Sequence, residues 1–144
     1  MKLGKINHLK ANRFAPQGMY LSDEEGNEVL LPNSRLPEKP QLGDYLHAFI
    51  YRDSEQRLIA TLDLPILEVD QFGTLEVKDR TNFGYFLDLG LDKQVLLPFK
   101  QAQHEYEPGD LAVGTLKVDE QTERLIFSTK LQYYWDREVK DLNE

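Results

Sequence analysis

Apolar residues in this chain gather in short clusters separated by polar turns, and up to residue 130 they never keep the spacing of a long helix. Leu46 to Tyr51 mixes β-branched, aromatic and aliphatic residues. Asp53-Ser54-Glu55-Gln56 then reads as a turn, followed by a second cluster from Leu58 to Leu62. The same sequence of events recurs from Leu111 to Val118, through the turn Asp119-Glu120-Gln121-Thr122-Glu123, to Leu125 to Ser128. Met19-Tyr20-Leu21 and Val29-Leu30-Leu31 flank Asp23-Glu24-Glu25-Gly26-Asn27, a hairpin loop by composition. These patterns predict short strands. After residue 130 the period changes. Leu131, Tyr134, Trp135, Val139 and Leu142 form a helical stripe, with Asp136, Arg137, Glu138, Lys140 and Asp141 on the polar side. The spacing predicts an amphipathic helix over 131–144 that packs on a barrel, on a second copy or on a domain beyond this chain.

The recurrence is an internal repeat. Val29-Leu30-Leu31-Pro32 returns as Val95-Leu96-Leu97-Pro98, an offset of 66, and the same offset carries Gly18 to Gly84, Tyr20 to Phe86 and Leu21 to Leu87. It also carries Gly43-Asp44 to Gly109-Asp110 and Asp53 to Asp119. Arg57-Leu58-Ile59 matches Arg124-Leu125-Ile126 one residue later, which implies an insertion in the second hairpin. Near the start, Gly4-Lys5-Ile6 aligns with Gly73-Thr74-Leu75 at an offset of 69. Two tandem copies follow, residues 1–63 and 66–130, joined around Leu64-Pro65. Copies of about 65 residues are small for a self-sufficient core, and a closed barrel removes their sheet edges. Five short strands with a longer connection after the third, Pro32 to Leu42 and Pro98 to Pro108, match the plan of the OB fold. The expected architecture is all-β: two tandem five-stranded OB barrels with a short C-terminal helix.

Composition narrows the function. With 144 residues, no cysteine and a formal net charge of −8, the chain has no disulfides, thiolate metal sites or thiol nucleophiles. No run approaches the ~18 apolar residues of a membrane span, and MKLGKINHLK lacks a signal-peptide core, so a cytoplasmic protein without membrane contact is expected. Acidity argues against strong non-specific duplex binding, which rests on neutralising phosphates. The charge is uneven: residues 1–64 carry 8 basic and 9 acidic side chains, residues 65–144 carry 9 and 16. The first thirteen residues hold Lys2, Lys5, Lys10 and Arg13 and no acid. His8, His47 and His104 are scattered, with no pair at ligand spacing, and no nucleophile-elbow, phosphate-loop or zinc-protease motif occurs. Neither an enzyme nor a metal or other cofactor is expected.

Gly73-Thr74-Leu75-Glu76-Val77, Asn82-Phe83-Gly84-Tyr85-Phe86-Leu87-Asp88-Leu89, Tyr106-Glu107-Pro108-Gly109-Asp110 and Arg124-Leu125-Ile126-Phe127-Ser128 together resemble an S1 RNA-binding domain. The first copy resembles a degenerate version. Such a tandem, with VLLP in both copies, resembles the start of the conserved virulence factor B (YitL-like) family. That resemblance implies several S1-type domains, a winged-helix domain further on, and RNA binding in bacterial post-transcriptional regulation, virulence genes included in some members. It covers the N-terminal half of such proteins, so this chain is expected to be part of a longer one or a short relative.

The resemblance also implies site residues. S1 domains set two aromatics three residues apart around a glycine, matched by Phe83 and Phe86, for stacking unpaired bases at about 1–3 kcal/mol each. An Asp with a downstream Arg is matched by Asp119 and Arg124 at a spacing of five instead of four. In the first copy Asp53 and Arg57 keep the spacing of four, Tyr20 matches the second aromatic and Gln17 replaces the first. The His often found after the third strand is Pro32 in one copy and Pro98 in the other. Lys5, Lys10 and Arg13, with Lys78 and Arg80 in the second copy, are candidates for phosphate contact. Phe83 and Phe86 are either core residues of the barrel or exposed rings; alternation places residues 83, 85 and 87 on one face, so exposing both phenylalanines requires a bulge at Gly84. The expected partner is single-stranded RNA. The competing reading is a protein-interaction module, with acidic barrels and a docking surface at Leu131, Tyr134 and Trp135.

Overall fold

The structure, a computed structural model, describes residues 1–36, 41–53 and 55–130; the tail expected to form a helix lies outside them. The first barrel comprises β1 (Ile6–Ala15), β2 (Gly18–Ser22), β3 (Glu28–Pro32), β4 (Tyr45–Arg52) and β5 (Leu58–Thr61). The second comprises β6 (Phe72–Arg80), β7 (Gly84–Leu87), β8 (Val95–Pro98), β9 (Leu111–Val118) and β10 (Leu125–Ser128). A 3₁₀ turn follows the third strand in each copy, at Asn33–Arg35 and Phe99–Gln101. Both barrels are closed in the order first, second, third, fifth, fourth strand. Closure is made by one parallel pairing in each, Leu30 with Ile59 and Leu96 with Ile126.

Period-two alternation explains which side of each strand is buried. Leu9 and Ala11 of β1 and Leu75 and Val77 of β6 point into the cores, and the residues between them face outward. The first core is completed by Met19, Leu21, Leu31, Ala48 and Ile50, the second by Tyr85, Leu87, Leu97, Leu116 and Phe127. Each buried aliphatic contributes about 1.5–3 kcal/mol against exposure. Tyr85 is 1% exposed, and its hydroxyl accepts the Tyr106 backbone N–H at 3.1 Å.

The register corrects two details of the sequence reading. First, the bulge lies in the partner strand, between Ala11 and Arg13 in one copy and between Val77 and Asp79 in the other, not at Gly84. Gly84 is fixed for a different reason. Its φ is +153°, and a Cβ there would stand 2.3 Å from the Leu97 carbonyl oxygen; Gly18, at +155°, would meet Leu31 at 2.2 Å. Second, the first strands keep the offset of 66, because Ile6 pairs with Phe49 as Phe72 pairs with Thr115. Gly4 therefore has no counterpart in Gly73; it belongs to the junction between the barrels.

At that junction Val69 N–H donates to the Gly4 carbonyl at 2.8 Å, and Ile6 N–H donates to the Glu68 carboxylate at 2.7 Å. A Cβ on Gly4 would stand 2.1 Å from Val69 Cγ2, so close approach requires glycine there. Arg52 and Glu123 pair across the same seam. Phe49 faces outward from β4 yet has no exposed surface and belongs to neither core cluster.

Candidate nucleic-acid interface

The pairing of three strands on the second barrel aligns one outward residue from each. Phe86 of β7 lies opposite Leu96 of β8, and Leu96 lies opposite Ile126 of β10. All three are half-buried. They belong to the lining of a cavity of about 360 Å³, along with Lys93, Asp119 and Arg124. Three of the expected residues, Phe86, Asp119 and Arg124, are thus brought together although they are separated by up to 38 positions in the chain.

Asp119 has a second task. Its carboxylate accepts the Gln121 N–H at 3.1 Å and the Thr122 hydroxyl at 3.2 Å, and so shapes the β9–β10 hairpin that presents Arg124. The extra residue of this hairpin is absorbed by Glu123 at φ +58°, as Gln56 at +64° completes the shorter turn of the first copy.

Phe83 stands apart from Phe86. It sits at the tip of the β6–β7 hairpin, 77% exposed, where Thr81 N–H donates to the Gly84 carbonyl at 2.8 Å. Tyr85 and Leu87 fill the core, as alternation required, but the strand begins at Gly84 and leaves Phe83 outside. Arg80 lies over the Tyr85 and Phe99 rings at 5.7 and 5.6 Å. Lys78, at the bulge, is ion-paired with Glu76, whose hydrogen bond raises the lysine pKa above its ordinary value.

In the first barrel the equivalent aromatic is covered. The Arg13 guanidinium lies 4.1 Å over the Tyr20 ring and is held there by Glu28 at 3.1 Å. The hydrogen bond to Glu28 raises the Arg13 pKa, and the Arg13 and Asn12 donors lower that of Glu28. Arg57 is engaged by Asp53 at 3.0 Å and by Glu55 at 3.3 Å. Burial pushes the Asp53 carboxyl up, but hydrogen bonds and charge from Arg57 outweigh it and leave the pKa lowered. Lys5 donates to the Val69 carbonyl, and its ammonium belongs to the junction. Of the expected basic residues on β1, Lys10 is exposed and has no ion-pair partner among the described residues; it pairs in register with Tyr45.

Two features escaped the sequence reading. Leu96 and Ile126 lie inside the repeated VLLP and RLI strings, so the repeat held the signal, but only the register reveals that they share a row with Phe86. His8 and His47, opposite each other on β1 and β4, stack with centroids 4.7 Å apart and planes inclined by 17°, a contact that their spacing along the chain did not announce.

Comparison with known proteins agrees with the tandem barrel fold. A family model described as S1 domain matches residues 3–63 and again 71–130. The chain is 40% identical over 98 residues to the uncharacterized protein YitL of Bacillus subtilis, covering 67% of this chain and 33% of that one. It is 26% identical over 123 residues to conserved virulence factor B of Staphylococcus aureus, covering 81% and 41%. A crystal structure of a multidomain protein with nucleic acid binding domains from Streptococcus pneumoniae superposes with a TM-score of 0.69 at 23% identity, over 94% of this chain and 48% of that one. The chain spans between a third and a half of the length of these relatives. Among the described residues no helix is long and apolar enough to cross a membrane. The chain belongs to the S1 domain family, as a tandem pair of S1 domains of the conserved virulence factor B (YitL-like) kind.

Proposed function

We propose that this chain binds single-stranded RNA through the outer face of its second barrel, as part of a bacterial regulator of gene expression acting after transcription. The observation that carries the reading is the row Phe86–Leu96–Ile126, an apolar strip beside Arg124 and Lys93 on a molecule of net charge −8. An unpaired base presents a flat π-face that gains about 1–3 kcal/mol from stacking on such a ring. Duplex bases have no face to offer, and the acidic surface disfavours a backbone-led mode. Phe83 at the hairpin tip supplies a second exposed ring. The tandem S1 membership supports a nucleic-acid role, and the S. pneumoniae neighbour is described as carrying nucleic acid binding domains.

The test is an anisotropy titration with a labelled single strand of about 12 nucleotides, within the site sizes of OB folds. Phe83→Ala combined with Phe86→Ala is expected to weaken binding by more than about tenfold at an unchanged melting temperature. A matching loss of melting temperature would assign the two rings to packing. A second reading, docking on a protein, is favoured by the exposed Phe72, Leu111 and Val113 on β6 and β9. Light scattering tests the second: a dimer that dissociates in Leu111→Lys supports the docking reading.

A further inference from the structure

The cavity floored by Phe86, Leu96 and Ile126 is closed on its other side by the first barrel, through Tyr51 and Arg52 at the end of β4 and Asp53 just beyond it. We propose that this cleft is a nucleobase pocket shared by the two S1 domains, in which Tyr51 is the first barrel's contribution to RNA recognition. The inference rests on the RNA reading above and adds to it the composite site and the class of ligand it holds.

Four observations support it. The volume, about 360 Å³, lies in the range of cavities that hold a compact organic group. The floor is apolar, and aromatic rings enter from both barrels, Phe86 from one and Tyr51 from the other.

The charges favour a nucleotide over a neutral apolar ligand. Arg52, Lys93 and Arg124 face the cavity, against the carboxylates of Asp53 and Asp119. Both carboxylates are already committed to turns: Asp53 accepts from Glu55 N–H and Arg57 N–H, and Asp119 accepts from Gln121 and Thr122. Lys93, exposed in the lining, supplies a cation for a phosphate joined to the enclosed base. Finally, Arg52 is incompletely used. Its Nη1 donates to the Gln56 carbonyl and its Nη2 to Glu123, while its buried Nε–H has no partner among the described residues. The two bonds that Arg52 does make fix its guanidinium at the seam between the barrels.

The pocket is also held in shape before any ligand arrives. The Gly4–Val69 and Ile6–Glu68 hydrogen bonds and the Arg52–Glu123 pair tie the two walls together, so little ordering remains to be done on binding. Tyr51 packs against the buried Phe49, centroids 6.1 Å apart and planes at 25°, which fixes the direction of its ring.

The full chain would be titrated with the 12-nucleotide strand as wild type, Tyr51→Ala, Phe86→Ala and the double variant, with melting curves for each. Tyr51→Leu, which keeps apolar bulk but no ring, stands in if Tyr51→Ala unfolds. Each single variant is expected to weaken binding about tenfold, and the double variant by less than the product of the two, because both rings contact one base. A strand carrying 2-aminopurine at successive positions is expected to show one position whose fluorescence changes on binding and reverts in Tyr51→Ala. Binding unaffected by Tyr51→Ala but weakened by Phe86→Ala overturns the shared pocket and leaves RNA recognition on the second barrel. Binding unaffected by either variant overturns the pocket and moves the RNA elsewhere. Absence of any RNA binding by the wild type removes both readings together.

Discussion

The two barrels differ most instructively at three matching positions. In the first, Arg13, Tyr20 and Glu28 form a closed set, with the guanidinium 4.1 Å above the ring and clamped by the carboxylate. Sixty-six residues on, the same places hold Asp79, Phe86 and Gln94. Asp79 pairs with Phe86 in register as Arg13 does with Tyr20, but a short anionic side chain cannot lie on the negative face of an aromatic ring. One fold, one register and one bulge thus yield a capped ring in one copy and an accessible ring in the other. Duplicating a barrel duplicates its scaffold; whether it offers a stacking platform depends on a few outward side chains that the core does not constrain.

The largest expected effect comes from the cores. Leu31 and Leu97 are equivalent and fully buried, so Leu31→Ala and Leu97→Ala should each cost about 2–5 kcal/mol in urea unfolding. Only Leu97→Ala, directly behind the Phe86 row, is expected to weaken RNA binding as well. Equal losses of affinity in both would erase the distinction between the barrels. A smaller effect tests the cap itself. Asp79→Arg with Gln94→Glu transfers the first barrel's cover to Phe86, and RNA affinity is expected to fall roughly three- to tenfold despite the added positive charge. An increase would show that charge outweighs ring access.

The smallest effect concerns pH. Asp23 in the β2–β3 hairpin is held down at about 2, first by the Asn27 side chain, against the opposing push of burial, and further by the Asn27 N–H and the Met1 ammonium. Its folded pKa lies below its ordinary value, so its stabilising contribution is present above about pH 4 and lost as pH falls toward 2. Its counterpart in the second barrel is the buried Leu89, which does not titrate. Melting temperature followed from pH 5 to 2 should decline less in Asp23→Asn than in the wild type. Identical profiles would remove Asp23 as a source of acid sensitivity.

How much could be read in advance differs between scaffold and site. Gly18 with Gly84 and Leu31 with Leu97 mark equivalent places because backbone conformation and core volume tolerate few residue types there, and such constraints leave a periodic trace. The position of the bulge left none: Asn12 and Lys78 are ordinary polar residues, and the extra residue is visible only as a change in pairing. Gly4 was misaligned with Gly73 because a glycine demanded by contact with Val69 looks, in sequence, like one demanded by a strand.

By itself the sequence determined two all-β copies, the succession of strands and turns along the chain, an S1 resemblance and an aromatic at position 86, since alternation, turn chemistry and repetition are local or periodic. Only the tertiary structure decided that Phe83 stands apart at a hairpin tip, that Arg13 covers Tyr20, that His8 stacks on His47, and that Tyr51 closes a cavity with Phe86. Those are meetings between strands distant in the chain, and the last is a meeting between barrels. Their side chains face outward, where neither packing nor backbone geometry restricts residue type, so no pattern along the chain announces them.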